Sequence, residues 1–193
     1  MYERVIKKIK SYHETLGIGQ VAEDKDFYFW ELEKRLLQLD WLLPKIRKEM
    51  PRYFKALDNL FKNFFQNNKK RKGTHPSPLE TLTESFYFFA FRVLDILKSG
   101  HIPGIKKFDC SGIRIVRNQL IVHPEGDVLN YSFAVIAGRG PVLKNARLVN
   151  RKNKKETVQD RGLFVNADEL RRKLEAKFDS FMSNMRDGQI QKN

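Results

Sequence analysis

The chain has 193 residues, of which 41% are hydrophobic and 12% aromatic, with 37 Lys and Arg against 23 Asp and Glu. This length suits one compact domain, and 15 Phe residues carry more apolar surface than a disordered chain would. The single Cys110 excludes disulfide frameworks, zinc ribbons and iron–sulfur clusters within the chain, because each needs several thiolates. We expect a cytoplasmic protein with no membrane partner, since the first residues lack the apolar stretch of a secretion signal and no apolar run reaches membrane length.

The charge of the chain is strongly positive and unevenly placed. The net charge is +14, and residues 1–75 and 131–193 each carry +7 of it, whereas residues 76–130 are neutral. Clustered Lys and Arg gain free energy by displacing counterions from a phosphate backbone. The composition therefore predicts a polyanionic partner.

Apolar residues spaced three and four apart predict a helix from Asp26 to Leu43. One stripe consists of Phe29, Leu32, Leu36, Leu39 and Leu43. Trp30, Leu37 and Trp41 widen the stripe, so we expect this helix to be heavily buried. Pro44 suits the first turn of a new helix, and Pro51 predicts a break or kink in it.

Three further elements are predicted in the middle of the chain. Residues 66–78 contain no apolar residue and combine a basic run with Gly73, Pro76 and Pro78, which predicts an exposed loop that could contact phosphate. Residues 78–99 are apolar around most of a helical circumference, which predicts a helix through the middle of the fold. A shorter helix, capped by Asp109 or Ser111, is predicted to end at Pro124.

The hydrophobic period changes from about 3.6 to 2 after residue 128, which predicts a β-hairpin at about 129–150. Asn166 and Glu169 then have the spacing of a helix N-cap and its reciprocal partner, so the last helix is predicted to begin there. The predicted fold is mainly α, an up-and-down helical bundle with the β-hairpin inserted before the C-terminal helix. Residues 1–193 form a single domain in this interpretation, with the hairpin as an appendage.

The one segment that could carry chemistry is RNQLIVHPEG, residues 117–126. Common enzyme signatures such as Gly-rich phosphate loops, HExxH and GxSxG are absent from the sequence. Arg117 brings a permanent charge that can fork onto phosphate oxygens, and His123 brings an imidazole with an ordinary pKa near ~6.5. On a regular helix the two side chains would lie roughly 120° apart, so they converge only if the helix unwinds at Pro124 or a second chain supplies one of them.

This segment resembles the HEPN domains (higher eukaryotes and prokaryotes nucleotide-binding), helical proteins that often carry an Arg, a polar neighbour and, four to six residues later, a His. Many HEPN proteins are metal-independent ribonucleases of toxin or defence type, in which two protomers share a cleft. The resemblance implies that His123 acts as general base on a ribose 2′-OH, that Arg117 stabilises phosphate charge and that Asn118 orients the ring or the phosphate. It also implies a homodimer, no cofactor, and a neutralising or nucleotidyltransferase-like partner protein.

The proton donor for the leaving group stays open between Glu84, Asp95, Glu125 and His123 of a second copy. A purely structural interpretation also stays open, in which Arg117 and Asn118 form the solvent edge of the helix and His123 only bonds terminal carbonyls. Cys110 is interpreted as a structural thiol, and His13, His75 and His101 show no metal-ligand spacing.

The basic segments have two interpretations. They are either solvated loops or one continuous nucleic-acid surface, and we favour the surface because several runs occur together. Its predicted members are Lys69, Lys70, Arg71, Lys72, Arg139, Lys144, Arg147, Arg151, Lys152, Lys154 and Lys155. The alternative to a ribonuclease is therefore a non-catalytic basic scaffold module that binds nucleic acid or an acidic protein.

Overall fold

The computed structural model describes residues 1–17, 23–67, 78–105, 108–117, 132–136, 140–149 and 156–186. Within these ranges the chain is mainly α, as the sequence predicts. Its elements are α1 (Glu3–Leu16), α2 (Glu23–Asn67), α3 (Pro78–Lys98), α4 (Ser111–Arg117), β1 (Ser132–Ile136), β2 (Gly140–Val149), β3 (Glu156–Gly162) and α5 (Leu163–Arg186). No helix among the described residues is both long enough and apolar enough to cross a membrane.

The core lies where the long helices meet. α2 packs along α3, and α1 packs against both α2 and α5. The predicted stripe of α2 is buried, with Leu32, Leu36 and Leu39 fully inaccessible to solvent. α3 buries much of its circumference, including Phe86, Val93 and Leu97, which confirms its predicted place in the middle of the bundle.

The prediction of a new helix at Pro44 is wrong. α2 is one helix of 45 residues, with Pro44 and Pro51 both inside it. A proline inside a helix removes one backbone hydrogen bond and crowds the preceding turn. Tertiary packing offsets that cost, because Leu43 and Ile46 on either side of Pro44 are buried in the same core.

The expectation that Trp30, Leu37 and Trp41 widen the buried stripe and make this helix heavily buried is also wrong. Trp30, Leu37 and Trp41 do not widen the buried stripe, because they lie on the opposite side of the helix, where their side chains are 66%, 53% and 60% exposed. No other element of the described chain covers this side. Helical periodicity identifies an apolar face, but it does not tell which faces find a partner within the chain.

The predicted β-hairpin is confirmed, but the sheet has one more strand than the prediction. β1 and β2 pair antiparallel from Ser132 opposite Lys144 to Ile136 opposite Gly140. The sheet contains a third strand, β3, which pairs antiparallel with β2 in a segment for which the sequence predicted no strand. The sequence of β3, ETVQDRG, holds one strongly apolar residue, so its strand character comes from backbone pairing with β2 and not from alternation.

The sheet is fastened to the bundle at the start of β2. Val142 is 2% exposed, and β2 contacts α2, α4 and α5. Gly140 has a positive φ of 73°, and a Cβ on it would overlap the ring of Phe164. Glycine is therefore required at this position by both its backbone conformation and the close approach of α5.

The last helix begins three residues earlier than predicted. α5 starts at Leu163, directly after β3, and Asn166 lies inside it. Asn166 is buried, and its side-chain amide donates a hydrogen bond of 2.8 Å to the hydroxyl of Tyr87 in α3. The residue that resembles an N-cap in the sequence is thus used for a contact between helices.

Candidate functional site

Arg117 is the last residue of α4, a short helix anchored by its apolar side. Ile113 and Val116 are fully buried, and the N–H of Arg114 donates to the carbonyl of Cys110 to form the first turn. This anchoring places Arg117 where the described part of α4 ends. The rest of the predicted helix, with Asn118 and His123, lies outside the described residues.

A polar junction sets the position of α4. The side-chain amide of Asn166 bridges to Tyr87 of α3, and its Oδ1 lies directly against Gly112 of α4. Any Cβ on Gly112 would overlap that oxygen and lie 3.2 Å from Cγ of Asn166. Three helices therefore meet at one glycine and one buried amide, and α4 can come this close only because residue 112 has no side chain.

The guanidinium of Arg117 packs on an aromatic ring of α3. Its Cζ lies 3.9 Å from the centroid of the Phe91 ring, within the range of a cation–π interaction, and the side chain is half-buried. The stacking holds the charge against α3. A guanidinium held in this way places a permanent positive charge at the end of α4, and its fixed position means that little further side-chain entropy would be lost when a phosphate binds beside it.

The charge of Arg117 affects the pKa of one carboxyl group of α3. Burial raises the pKa of Asp95, and the positive charges of Arg92, Arg117 and Lys98 act against that rise. Of the other predicted proton donors, Glu84 also has a raised pKa, caused by burial and by Glu80, and Glu125 lies outside the described residues. Among the predicted donors that the structure describes, Asp95 is thus the one in which the charge of Arg117 opposes the rise in pKa.

Most of the predicted nucleic-acid residues lie outside the described residues, namely Lys69, Lys70, Arg71, Lys72, Arg139, Arg151, Lys152, Lys154 and Lys155. Lys144 and Arg147 belong to β2, where their backbone pairs with β1 and β3 respectively, and their side chains are outside the description. The structure therefore does not test whether these residues form one basic surface.

The structure adds a basic row that the sequence analysis did not select. Exposed cations follow one another along the second half of α2, namely Lys45, Arg47, Lys48, Arg52 and Lys55. Arg47 stacks over the ring of Phe164 at 5.0 Å and lines a groove of about 670 Å³ together with Phe54 and Gly140. A count of charges over residues 45–55 would have found this row, which has five basic residues and one acidic one.

Three other residues considered in the sequence, Cys110, His13 and His101, make contacts that belong to the packing of the fold. Burial raises the pKa of the Cys110 thiol to about 11, whereas an activated nucleophile needs a lowered pKa. His13 Nε2 lies 2.6 Å from a carboxylate oxygen of Asp26, and His101 stacks on Tyr28 at 4.0 Å. In the part of the chain that the structure describes, no group of His, Cys, Asp and Glu could hold a metal ion.

Comparisons of the chain with protein-family models, with curated proteins and with solved structures found no match.

Proposed function

We propose that this chain is a HEPN-like RNA-binding protein. The observation that carries the proposal is the row of exposed cations on α2. One of them, Arg47, lines a groove between α2, β2 and α5 together with the rings of Phe54 and Phe164, and two others, Lys45 and Lys48, line a second groove beside α3. Cations that neutralise phosphates and rings that pack on bases are the two components of single-strand binding sites. A net charge of +14 supports the same partner.

Salt dependence of binding tests this proposal. We would titrate labelled single-stranded RNA by fluorescence anisotropy at several salt concentrations, using the full chain and the double variant Arg47→Ala with Lys55→Ala. If each of these two cations neutralises one phosphate, the slope of log affinity against log salt falls by about 1.4 in the variant. The matched control is Lys7→Ala, which removes a cation from an exposed i,i+4 pair on α1. Equal slopes in all three proteins would refute the α2 row as the binding surface.

The second proposed function is metal-independent endoribonuclease activity, and the placement of Arg117 favours it. In this reaction His123 removes the proton from a ribose 2′-OH, the oxygen attacks the adjacent phosphorus, and the bond to the 5′-oxygen breaks. Arg117, held over Phe91, stabilises the negative charge that builds on the phosphate oxygens. The leaving oxygen takes its proton from Asp95 or from His123 of a second copy.

End-labelled RNA in excess EDTA distinguishes the two functions. We expect cleavage by the full chain and its loss in His123→Ala and in Arg117→Ala, with folding retained. Arg114→Ala is the control, because Arg114 lies on the same helix and makes only a long ion pair of 3.9 Å with Asp109. Binding without cleavage would leave the alternative, a non-catalytic basic scaffold module, as the function.

The proposal includes partners and a location. The protein acts as a homodimer in the cytoplasm, as its resemblance to HEPN proteins and its single cysteine lead us to expect. A protein that neutralises it, or a nucleotidyltransferase-like partner, belongs to the same resemblance. If expression of this chain inhibits growth and a co-expressed neighbouring open reading frame relieves the inhibition, the neutralising partner is supported. If the chain alone leaves growth unaffected, that result counts against a toxin.

A further inference from the structure

The first half of α2 has two apolar sides, and only one of them is covered. The outer face of α2, which we define as Phe27, Trp30, Leu37 and Trp41, points away from the core, and every member is more than half exposed. Two tryptophans and a leucine in water make a patch that single-chain folding does not explain. Phe89 of α3 joins Trp30, Leu37 and Trp41 in lining a groove of about 690 Å³ along it.

The spacing of this face is that of a helix–helix seam. Phe27, Trp30, Lys34, Leu37 and Trp41 follow one another at alternating intervals of three and four residues. That alternation is the heptad pattern by which two helices pack knobs into holes over a long contact. The buried side of α2 already packs on α3, so the outer face has the form required for a second helix from outside the chain.

The charges along α2 select which helix fits. Residues 23–34 carry five acidic and two basic side chains, whereas residues 37–48 carry three basic and one acidic. A second α2 running antiparallel would set the acidic half of each helix against the basic half of the other. A parallel arrangement would set like charges together, which costs free energy at a seam.

We propose that the outer face of α2 is the surface through which two copies of this chain associate, with their α2 helices antiparallel. A two-fold axis between Arg35 and Leu36 sets Trp30 of one copy against Trp41 of the other, and Leu37 of one copy against Lys34 of the other. The ammonium of Lys45 already lies 3.7 Å from the centre of the Trp41 ring, so it borders the seam. The inference rests on the homodimer of the proposed function and not on RNA binding.

The size of the face is adequate for a small specific interface. An aromatic side chain offers about 200 Å², so three aromatics at the observed exposures together with Leu37 leave about 400 Å² of apolar surface on each copy. A standard interface buries ~800 Å² per partner, of which somewhat more than half is apolar. The outer face therefore supplies most of the apolar part, and the flanking charged side chains supply the rim.

Sedimentation equilibrium of the full chain tests the surface. We expect a dimer at micromolar concentration, and at least a hundredfold weaker association in Leu37→Lys, because each copy then buries an ammonium against Lys34 of the other. The control is Phe88→Lys, which alters an exposed apolar residue of α3 that does not line the groove, and which should remain dimeric. Circular dichroism should be the same for all three proteins, since both positions are solvent-exposed.

Charge reversal tests the antiparallel orientation. Adding Lys34→Glu to the Leu37→Lys chain should restore association at least tenfold, because residues 34 and 37 of opposite copies face each other across an antiparallel seam. In a parallel seam the second change restores nothing. A wild-type chain that stays monomeric at about 100 µM overturns both the homodimer and this surface. A dimer that Leu37→Lys leaves intact overturns the surface alone, and RNA binding by the monomeric variant would show that the proposed function does not depend on it.

Discussion

Replacing Gly112 by alanine should destabilise the protein, although the same change in an ordinary helix stabilises it. In an open helical position, Gly→Ala gains about 1 kcal/mol, because alanine loses less backbone entropy on folding. In α4 the new methyl group would overlap Oδ1 of Asn166 and lie 3.2 Å from its Cγ. The amide of Asn166 must then move, and its 2.8 Å hydrogen bond to Tyr87 is stretched or broken.

The expected magnitude follows from three contributions. Overpacking of a buried site costs about 1–3 kcal/mol, and loss of a buried hydrogen bond costs about 1–3 kcal/mol. The gain in helix propensity offsets about 1 kcal/mol of this. We therefore expect the free energy of unfolding to fall by about 2–3 kcal/mol and Tm to fall by about 5–10 °C for a chain of this length.

A double-mutant cycle separates the overlap from other effects. Urea denaturation followed by far-UV circular dichroism suits this measurement, because Trp30 and Trp41 are mostly exposed and would report unfolding weakly by fluorescence. In a chain that already carries Asn166→Ala, the Gly112→Ala change should stabilise by about 1 kcal/mol, because nothing then opposes the methyl group. A stabilising effect of Gly112→Ala in the otherwise unchanged protein, or equal effects in both backgrounds, would refute the reasoning.

Three further predictions concern the core and the site. The free energy of unfolding should fall as pH rises above about 9, because the thiol of Cys110 loses its proton in the unfolded chain but keeps it in the folded protein up to its pKa of about 11. The total loss in the free energy of unfolding is about 2–3 kcal/mol. Chemical denaturation of Cys110→Ala should show a smaller loss of stability at alkaline pH. Tyr2→Phe should cost about 1 kcal/mol in urea denaturation, because the buried hydroxyl donates 2.9 Å to the carbonyl of Ala167; no change would mean that the bond contributes nothing. Phe91→Leu should lower the free energy of unfolding by about 1 kcal/mol, because it removes the ring under Arg117. In a chain that already carries Arg117→Ala, most of this cost should disappear. An undiminished cost in that chain would argue against the cation–π contact.

The candidate site was predictable only in part. Arg117 could be selected from the sequence because a permanent charge followed by an imidazole has a recognisable chemistry at a helix end. Its stacking on Phe91 and its electrostatic coupling to Asp95 could not, because these residues lie on a different helix and their meeting depends on how α4 packs on α3. The glycine that permits this packing has no chemical signature in the sequence.

The sequence by itself determined the buried stripe of α2, the central helix α3, the last helix and the first two strands, because burial of apolar residues follows a period that can be read from the chain. It did not predict α1 or the continuity of α2 through Pro44. Tertiary structure decided the rest. Pro44 stays inside α2 because buried neighbours offset its lost hydrogen bond, and β3 exists because β2 offers it a backbone to pair with. Asn166 became a bridge between helices because Tyr87 lies within reach, and the outer face of α2 is exposed because no element of the described chain reaches it. Contacts between distant parts of the chain decide such features, and local patterns do not contain them.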